Sequence, residues 1–342
     1  MQQDAYQKIL QKTFDRKIPF HAQIELTYRC NLSCAHCYAT NRNLQDELSA
    51  DEVEMVLQQL ADLGCLFLSL TGGEIFCRSD AIQIMKSAGS KGFALTLFTN
   101  GTLLTAKLAD ELKEIAPLSV EISLYAMNPD IHDRITGVHG SHEKTMSAIK
   151  LLKERNINIA IKSPLLKYNA SEYKVLAKFA GDMNARFVFD FILVPTDSGS
   201  QPMRRHGLSE NEIYDFFMAN GKPQASVPTS PASTDTLCGA GSNALCITPC
   251  GDVLACLAIR QKVDNVRNKP LKEIWNSPDL DKFRNLRYCN LQECVNCEFA
   301  AYCSRCSGVA LAECGNITGK CECACIVAKA MKRAMESLRS KQ

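Results

Sequence analysis

Three cysteines fall within eight residues, Cys30, Cys34 and Cys37 in "ELTYRCNLSCAHCYATN" (25–41), directly after an apolar run. Thiolates packed this tightly serve zinc or iron–sulfur clusters, and a purely structural site of either kind takes four protein ligands. Three leave one position open. His36 or a distant residue could complete a structural zinc site, and the spacing alone does not exclude it. The other cysteines are just as unevenly placed. Of 18, five precede residue 80, none lies between Cys77 and Cys238, and thirteen fall between Cys238 and Cys325. Two metal-binding regions therefore flank a long cysteine-free stretch. In the second, Cys294-x2-Cys297 and Cys303-x2-Cys306 taken alone read as a zinc ribbon, although five residues between the pairs are few for that fold.

The 342 residues are 46% hydrophobic and 22% charged, enough for one large core or two ordinary domains. With 39 Lys and Arg against 37 Asp and Glu the net charge is +2, and no charged run calls for a nucleic-acid partner. The start lacks the layout of a secretory signal and no uncharged run reaches membrane-spanning length, so the cytoplasm is expected, with no membrane partner. A reducing compartment turns cysteine abundance toward metal or redox use rather than disulfides.

Apolar, β-branched runs at 22–28, 66–72, 93–100, 118–125, 157–163 and 186–193 have the length of buried strands. Amphipathic stretches at 49–63, 79–91, 105–116, 141–155 and 171–184 alternate with them, and Ser49–Glu52 and Ser209–Glu212 fit capping boxes. Alternation predicts an α/β fold with a parallel sheet and right-handed crossovers. Six units are too few for a closed eight-fold barrel, so a partial (β/α)6 barrel is expected. The cysteine triplet then sits on the loop after the first strand, at the carboxyl face where such folds assemble their chemistry. Residues 1–20 form an N-terminal extension, 21–220 the barrel, 221–237 a linker rich in Pro, Ser and Thr, and 238–342 a small cysteine-rich domain ending in a helix. Little apolar periodicity marks 238–325, where ligated metal would have to replace missing core.

Cys30-x3-Cys34-x2-Cys37 on this loop resembles the signature of the radical S-adenosylmethionine (radical SAM) enzymes. The resemblance implies a 4Fe-4S cluster on these three cysteines, its open iron chelated by S-adenosyl-L-methionine, and reductive cleavage of that cofactor to a hydrogen-abstracting 5'-deoxyadenosyl radical. It further implies that Gly72, Gly73 and Glu74 after strand two meet the methionine amino group. Thr99 and Asn100 after strand three and Ser123 after strand four would contact the rest of the cofactor, Ser123 at the ribose. The position before the third cysteine is commonly aromatic and apolar in this family; here His36, or Tyr38 beyond, would face the adenine. Lys162, ending strand five, is a candidate partner for the cofactor carboxylate, against a solvated lysine. Asp190 in "FDF" on strand six is a candidate substrate contact or general base, against a structural hydrogen bond, since a buried carboxylate is costly unless paired.

The later cysteines resemble the SPASM extension of the same family, which implies two auxiliary 4Fe-4S clusters. Cys238, Cys246, Cys256 and Cys306 would hold the first, and Cys294, Cys297, Cys303 and Cys325 the second, with Cys321 and Cys323 as alternatives to Cys325 and Cys250 as one to Cys246. The gap between Cys303 and Cys306 is one residue short of the family pattern, which leaves the role of Cys306 open. SPASM proteins often modify peptides, so the expected function is maturation of a peptide or protein substrate, with an external electron donor of flavodoxin or ferredoxin type. Only about 20 residues precede the first strand, too few for an independent leader-recognition domain, so either a separate recognition protein or an unaided contact with the peptide is expected. Small-molecule cofactor biosynthesis, acting on a tetrapyrrole or quinone, uses the same layout. A zinc-stabilised binding module would instead be colourless and have no use for the Gly-Gly-Glu segment, and a simple electron-transfer protein would not need so large a first domain.

Overall fold

The computed structural model describes residues 2–40, 46–196, 205–221, 232 and 234–340. Most of the expected linker lies outside them. Six strands run parallel and in sequence order: β1 (His21–Thr27), β2 (Phe67–Gly72), β3 (Ala94–Thr99), β4 (Ser119–Ser123), β5 (Ile159–Pro164) and β6 (Arg186–Asp190). Each lies within the expected run to one or two residues. One face of the sheet is apolar and packs under the helices, while the other carries Gln23, Ser69, Thr96, Glu121 and Lys162. Leu68, Leu70, Leu97, Val120, Ile122 and Ile161 have no exposed surface.

The crossover helices include Ala50–Asp62, Ala81–Ser90, Ala106–Ile115, Ser141–Glu154 and Tyr173–Asp182. Ser49 and Ser209 each accept from the amide three residues on while Glu52 and Glu212 reach back, so both predicted capping boxes form. One helix escaped the periodicity. Pro129–Thr136 is capped by Asn128, whose side chain accepts from the Asp130 and Ile131 amides, and it carries proline at its first position.

The expectation of a coreless C-terminal half is corrected. Strands β7 (Ala244–Ile247), β8 (Asp252–Cys256) and β9 (Ile259–Asn265) extend the same sheet, in the order β6-β5-β4-β3-β2-β1-β7-β8-β9. β7 pairs parallel with β1, His21 opposite Ala244 and Ile24 opposite Ile247, and β8 and β9 return antiparallel. Leu245, Ile247, Val253, Ile259, Trp275 and Phe283 belong to the main core. β7, with four residues, is too short to display a period, and the strand it pairs with, β1, comes from the far end of the chain. The N-terminal extension is also structured, as the helix Gln2–Asp15, with Thr13 buried and bonded by the Asn243 side chain (3.3 Å). Among the described residues no helix is long and apolar enough to cross a membrane.

A buried ion pair joins the two halves. Glu25 on β1 is wholly buried, and its Oε2 accepts from Arg260 of β9 (2.9 Å) and from the Tyr28 hydroxyl (2.7 Å). Removing the cation strands a carboxylate in low dielectric, so Arg260→Met is expected to cost about 3–5 kcal/mol. Urea unfolding checks this, and Glu25→Gln in the same chain should recover most of the loss. An unchanged midpoint in the single variant would show that the pair carries no such weight.

Candidate active site

The carboxyl ends of the parallel strands enclose a cavity of about 440 Å³. Cys30, Cys34 and Cys37 line it together, which follows from the loop after β1 folding back over the strand ends. The neighbouring helix end fixes that loop: the Ser33 amide donates to the Thr136 carbonyl (2.8 Å) and Ala35 to Ile135 (2.9 Å). Cys30 Sγ accepts from the Leu32 amide (3.4 Å), and the Tyr125 hydroxyl stands 4.0 Å from Cys34 Sγ.

Gly72 and Gly73 bring the end of β2 against this loop. Gly73 donates to the Thr27 carbonyl (2.7 Å) and Glu74 to that of Arg29 (2.9 Å). A Cβ on Gly73 would lie 2.4 Å from the Arg29 carbonyl oxygen, and one on Gly72, at φ +129°, 2.2 Å from that of Thr27. Only glycine permits this approach. Both glycines line the cavity, together with Thr99, Asn100, Ser123, Lys162, Asp190, His36 and Tyr38.

Glu74 is placed differently. Its side chain is fully buried and outside the cavity wall, accepting from the Thr99 hydroxyl (2.8 Å), the Asn100 amide (2.7 Å) and the Phe76 amide (3.2 Å). Burial raises its pKa, and these bonds oppose the rise. The residue locks the end of β3 to the end of β2. Thr99 is correspondingly occupied. Lys162 is not a free cation either: its Nζ is 3.4 Å from Glu121 and 4.1 Å from the centre of the Phe98 ring.

His36 carries an orphaned atom. Burial, with a smaller contribution from His206, lowers its pKa to about 4, so the ring is neutral near pH 7. Its Nδ1 is buried with no hydrogen-bond partner among the described residues, and the ring meets Tyr125 edge-on at 4.9 Å. A buried, unpaired polar atom on the cavity wall calls for a ligand able to bond it. Asp190 is reachable from the cavity, yet desolvation by the surrounding protein raises its pKa, opposed by amide bonds that include one from Ile192 (2.9 Å). Tyr125 was not foreseen, although an aromatic two residues beyond Ser123 at a strand end was a readable signal. Leu257, next to Cys256, reaches the cavity from the C-terminal half, and nothing in its local sequence announces that.

The later cysteines act on one another electrostatically. Burial raises Cys256 to about 11, with Cys306 and Cys238 adding to the rise. It raises Cys303 to about 11 as well, with Cys325, Cys321 and Cys294 adding. Cys246 is wholly buried on β7, where Glu25 and Arg260 face it as well as Cys256. The donor set suits iron–sulfur clusters, and the three-thiol cavity with its glycine cradle and unpaired imidazole suits a cluster with a bound cofactor.

Comparison with known proteins agrees. Residues 24–180 match the model of the Radical SAM superfamily and 238–307 that of an iron–sulfur cluster-binding domain, SPASM. The antilisterial bacteriocin subtilosin biosynthesis protein AlbA of Bacillus subtilis is 30% identical over 308 residues, 84% of this chain and 67% of AlbA. An AdoMet-dependent heme synthase of Methanosarcina barkeri is 27% identical over 325 residues, 85% of this chain and 92% of the synthase. In fold, the chain resembles Streptococcus suis SuiB bound to its precursor peptide SuiA, with a TM-score of 0.70 at 18% identity over 91% of this chain and 77% of SuiB. The chain belongs to the radical SAM superfamily, as an enzyme with a C-terminal SPASM domain that uses S-adenosyl-L-methionine and 4Fe-4S clusters.

Proposed function

We propose that this enzyme abstracts hydrogen from a peptide or protein substrate and so matures it. What carries the reading is the cavity itself, lined by three cysteines and by the apolar Phe189 of β6 and Ile192, Leu193 and Val194 after it, together with relatives whose names are those of peptide-modifying proteins, AlbA and PqqA peptide cyclase. Cys30, Cys34 and Cys37 would hold the first cluster, which when reduced supplies the electron that cleaves S-adenosyl-L-methionine. Gly72 and Gly73 would cradle the methionine end, Asn100 and Ser123 the middle, and His36 Nδ1 would bond the adenine edge with Tyr38 beside it. Cys238, Cys246, Cys256 and Cys306 would hold one auxiliary cluster and Cys294, Cys297, Cys303 and Cys325 the other, on paths that remove an electron from product. A flavodoxin- or ferredoxin-type donor would recharge the first cluster, and a separate protein would present the peptide leader.

Asp190 is the one carboxylate lining the cavity among the described residues. As general base it must be ionised, and its raised pKa moves that requirement above the ordinary aspartate range. Activity should therefore fall as pH drops through that raised value, and Asp190→Asn should lower the rate by about 10²–10⁴-fold and flatten the acid limb. A variant with unchanged rate and profile would leave Asp190 a structural role only.

The heme synthases favour a second reading, side-chain chemistry on a tetrapyrrole, because 92% of the Methanosarcina protein is matched. The deciding experiment incubates anaerobically reconstituted enzyme and reductant with a precursor peptide or an iron porphyrin. 5'-Deoxyadenosine formed in step with loss of two hydrogens from the peptide supports the first reading. The same nucleoside formed in step with decarboxylation of the porphyrin supports the second.

A further inference from the structure

The eleven cysteines given to clusters leave over a buried pair with a geometry of its own. Cys321 and Cys323 are 1% and 2% exposed, and their sulfurs are 3.6 Å apart. Two thiolates on one tetrahedral ion at about 2.3 Å each stand about 3.8 Å apart. Thiolates on different corners of a four-iron cube stand much further apart. The pair therefore has the spacing of a mononuclear site.

A third donor completes the set. A carboxylate oxygen of Glu313 and both sulfurs lie within 4.8 Å of one another. The Glu313 carboxylate is held in place by the Glu322 amide (2.6 Å) and the Cys323 amide (3.3 Å), which keeps it at the start of the final helix, Glu322–Arg339. Without an ion the two thiols hydrogen-bond each other; deprotonated, they and the Glu313 carboxylate would offer three anionic donors to one cation. The nearby cations are otherwise engaged: Lys320 pairs with Glu322, and Arg305 donates to the Ile317 and Gly319 carbonyls.

We propose that Glu313, Cys321 and Cys323 bind one divalent ion of the zinc type, separate from the iron–sulfur clusters. Two thiolates and a carboxylate suit zinc better than calcium or magnesium, which take oxygen donors, and the fourth position falls to water. The ion would tie the helix Ser307–Cys314, which begins directly after Cys306, to the final helix, which carries Cys325. It would thus fix the spacing between the two auxiliary ligand groups without belonging to either.

The test is metal analysis of the anaerobically prepared holoenzyme. Wild type should hold about one zinc per chain beside its iron, and zinc X-ray absorption should show two sulfurs at about 2.3 Å. Cys321→Ser and Cys323→Ser should each lower zinc at least tenfold with iron and sulfide unchanged. Glu313→Gln, which leaves both thiols in place, should keep its iron and release zinc to a chelator about 10–100-fold faster. Absence of zinc in wild type, a disulfide between the two cysteines, or loss of about four irons in either serine variant would overturn the proposal. The last result would assign the pair to a cluster. Zinc content does not depend on S-adenosylmethionine cleavage, so failure of the functional reading would register separately.

Discussion

Cys34→Ala is expected to lose about four irons per chain, keep about eight, and release no 5'-deoxyadenosine from S-adenosylmethionine under reductant. On the proposed assignment the cavity-lining triplet would contribute three ligands to one cluster, so removing one would leave too few to hold it, while the later cysteines lie on other elements and would keep their iron. The structure adds a reason to choose Cys34: its sulfur stands 4.0 Å from the Tyr125 hydroxyl and packs beside an apolar group that includes Ile135 and Leu166. Iron and sulfide counts with product chromatography decide. Unchanged iron, or cleavage at the wild-type rate, would remove the triplet from the centre of the chemistry.

The second large effect is expected at Gly73→Ala. Its new methyl would meet the carbonyl oxygens of Arg29 and Tyr28 at 2.4 and 2.7 Å, and neither is the end of a flexible side chain. Overpacking of this kind costs about 1–3 kcal/mol, and the relief available is movement of the turn away from the cysteine loop. A displacement near 1 Å between cofactor cradle and cluster costs on the order of 10²-fold in rate. The variant should therefore keep its iron, melt lower and cleave S-adenosylmethionine about 10²-fold more slowly. Gly181→Ala supplies the contrast. Gly181 lies in the helix Tyr173–Asp182 with nothing within 4 Å of its Cβ position, so alanine there should be neutral or stabilising by about 0.4–1 kcal/mol. Equal behaviour of the two variants would contradict the cradle.

Much of the site was legible because its positions follow from order along the chain. A run of buried β-branched residues identifies a strand, alternation makes the sheet parallel, and a parallel sheet puts Cys30–Cys37, Gly72–Gly73, Asn100 and Ser123 at one rim without any knowledge of side-chain direction. Direction is where the reading stopped. Glu74 stands in the expected place but turns inward, because two backbone amides and a hydroxyl offer it more than the cavity does. Lys162 likewise reaches the rim and is taken by Glu121 of the neighbouring strand β4. The C-terminal strands were missed for a different reason. Ala244–Ile247 has four residues and no period of its own, and its meaning lies in a partner more than two hundred positions away.

That pairing has a consequence for how the molecule can be divided. Because β7 covers the free edge of β1 and Arg260 neutralises Glu25 beneath it, the superfamily-matching part is no self-sufficient body to which an accessory was appended. Cut off before Cys238, it would present the naked edge of its first strand, the kind of surface that recruits other chains, and a charge buried without an answer. The strand that leads into the radical-generating loop is thus the common wall of both halves, and they are made or lost together.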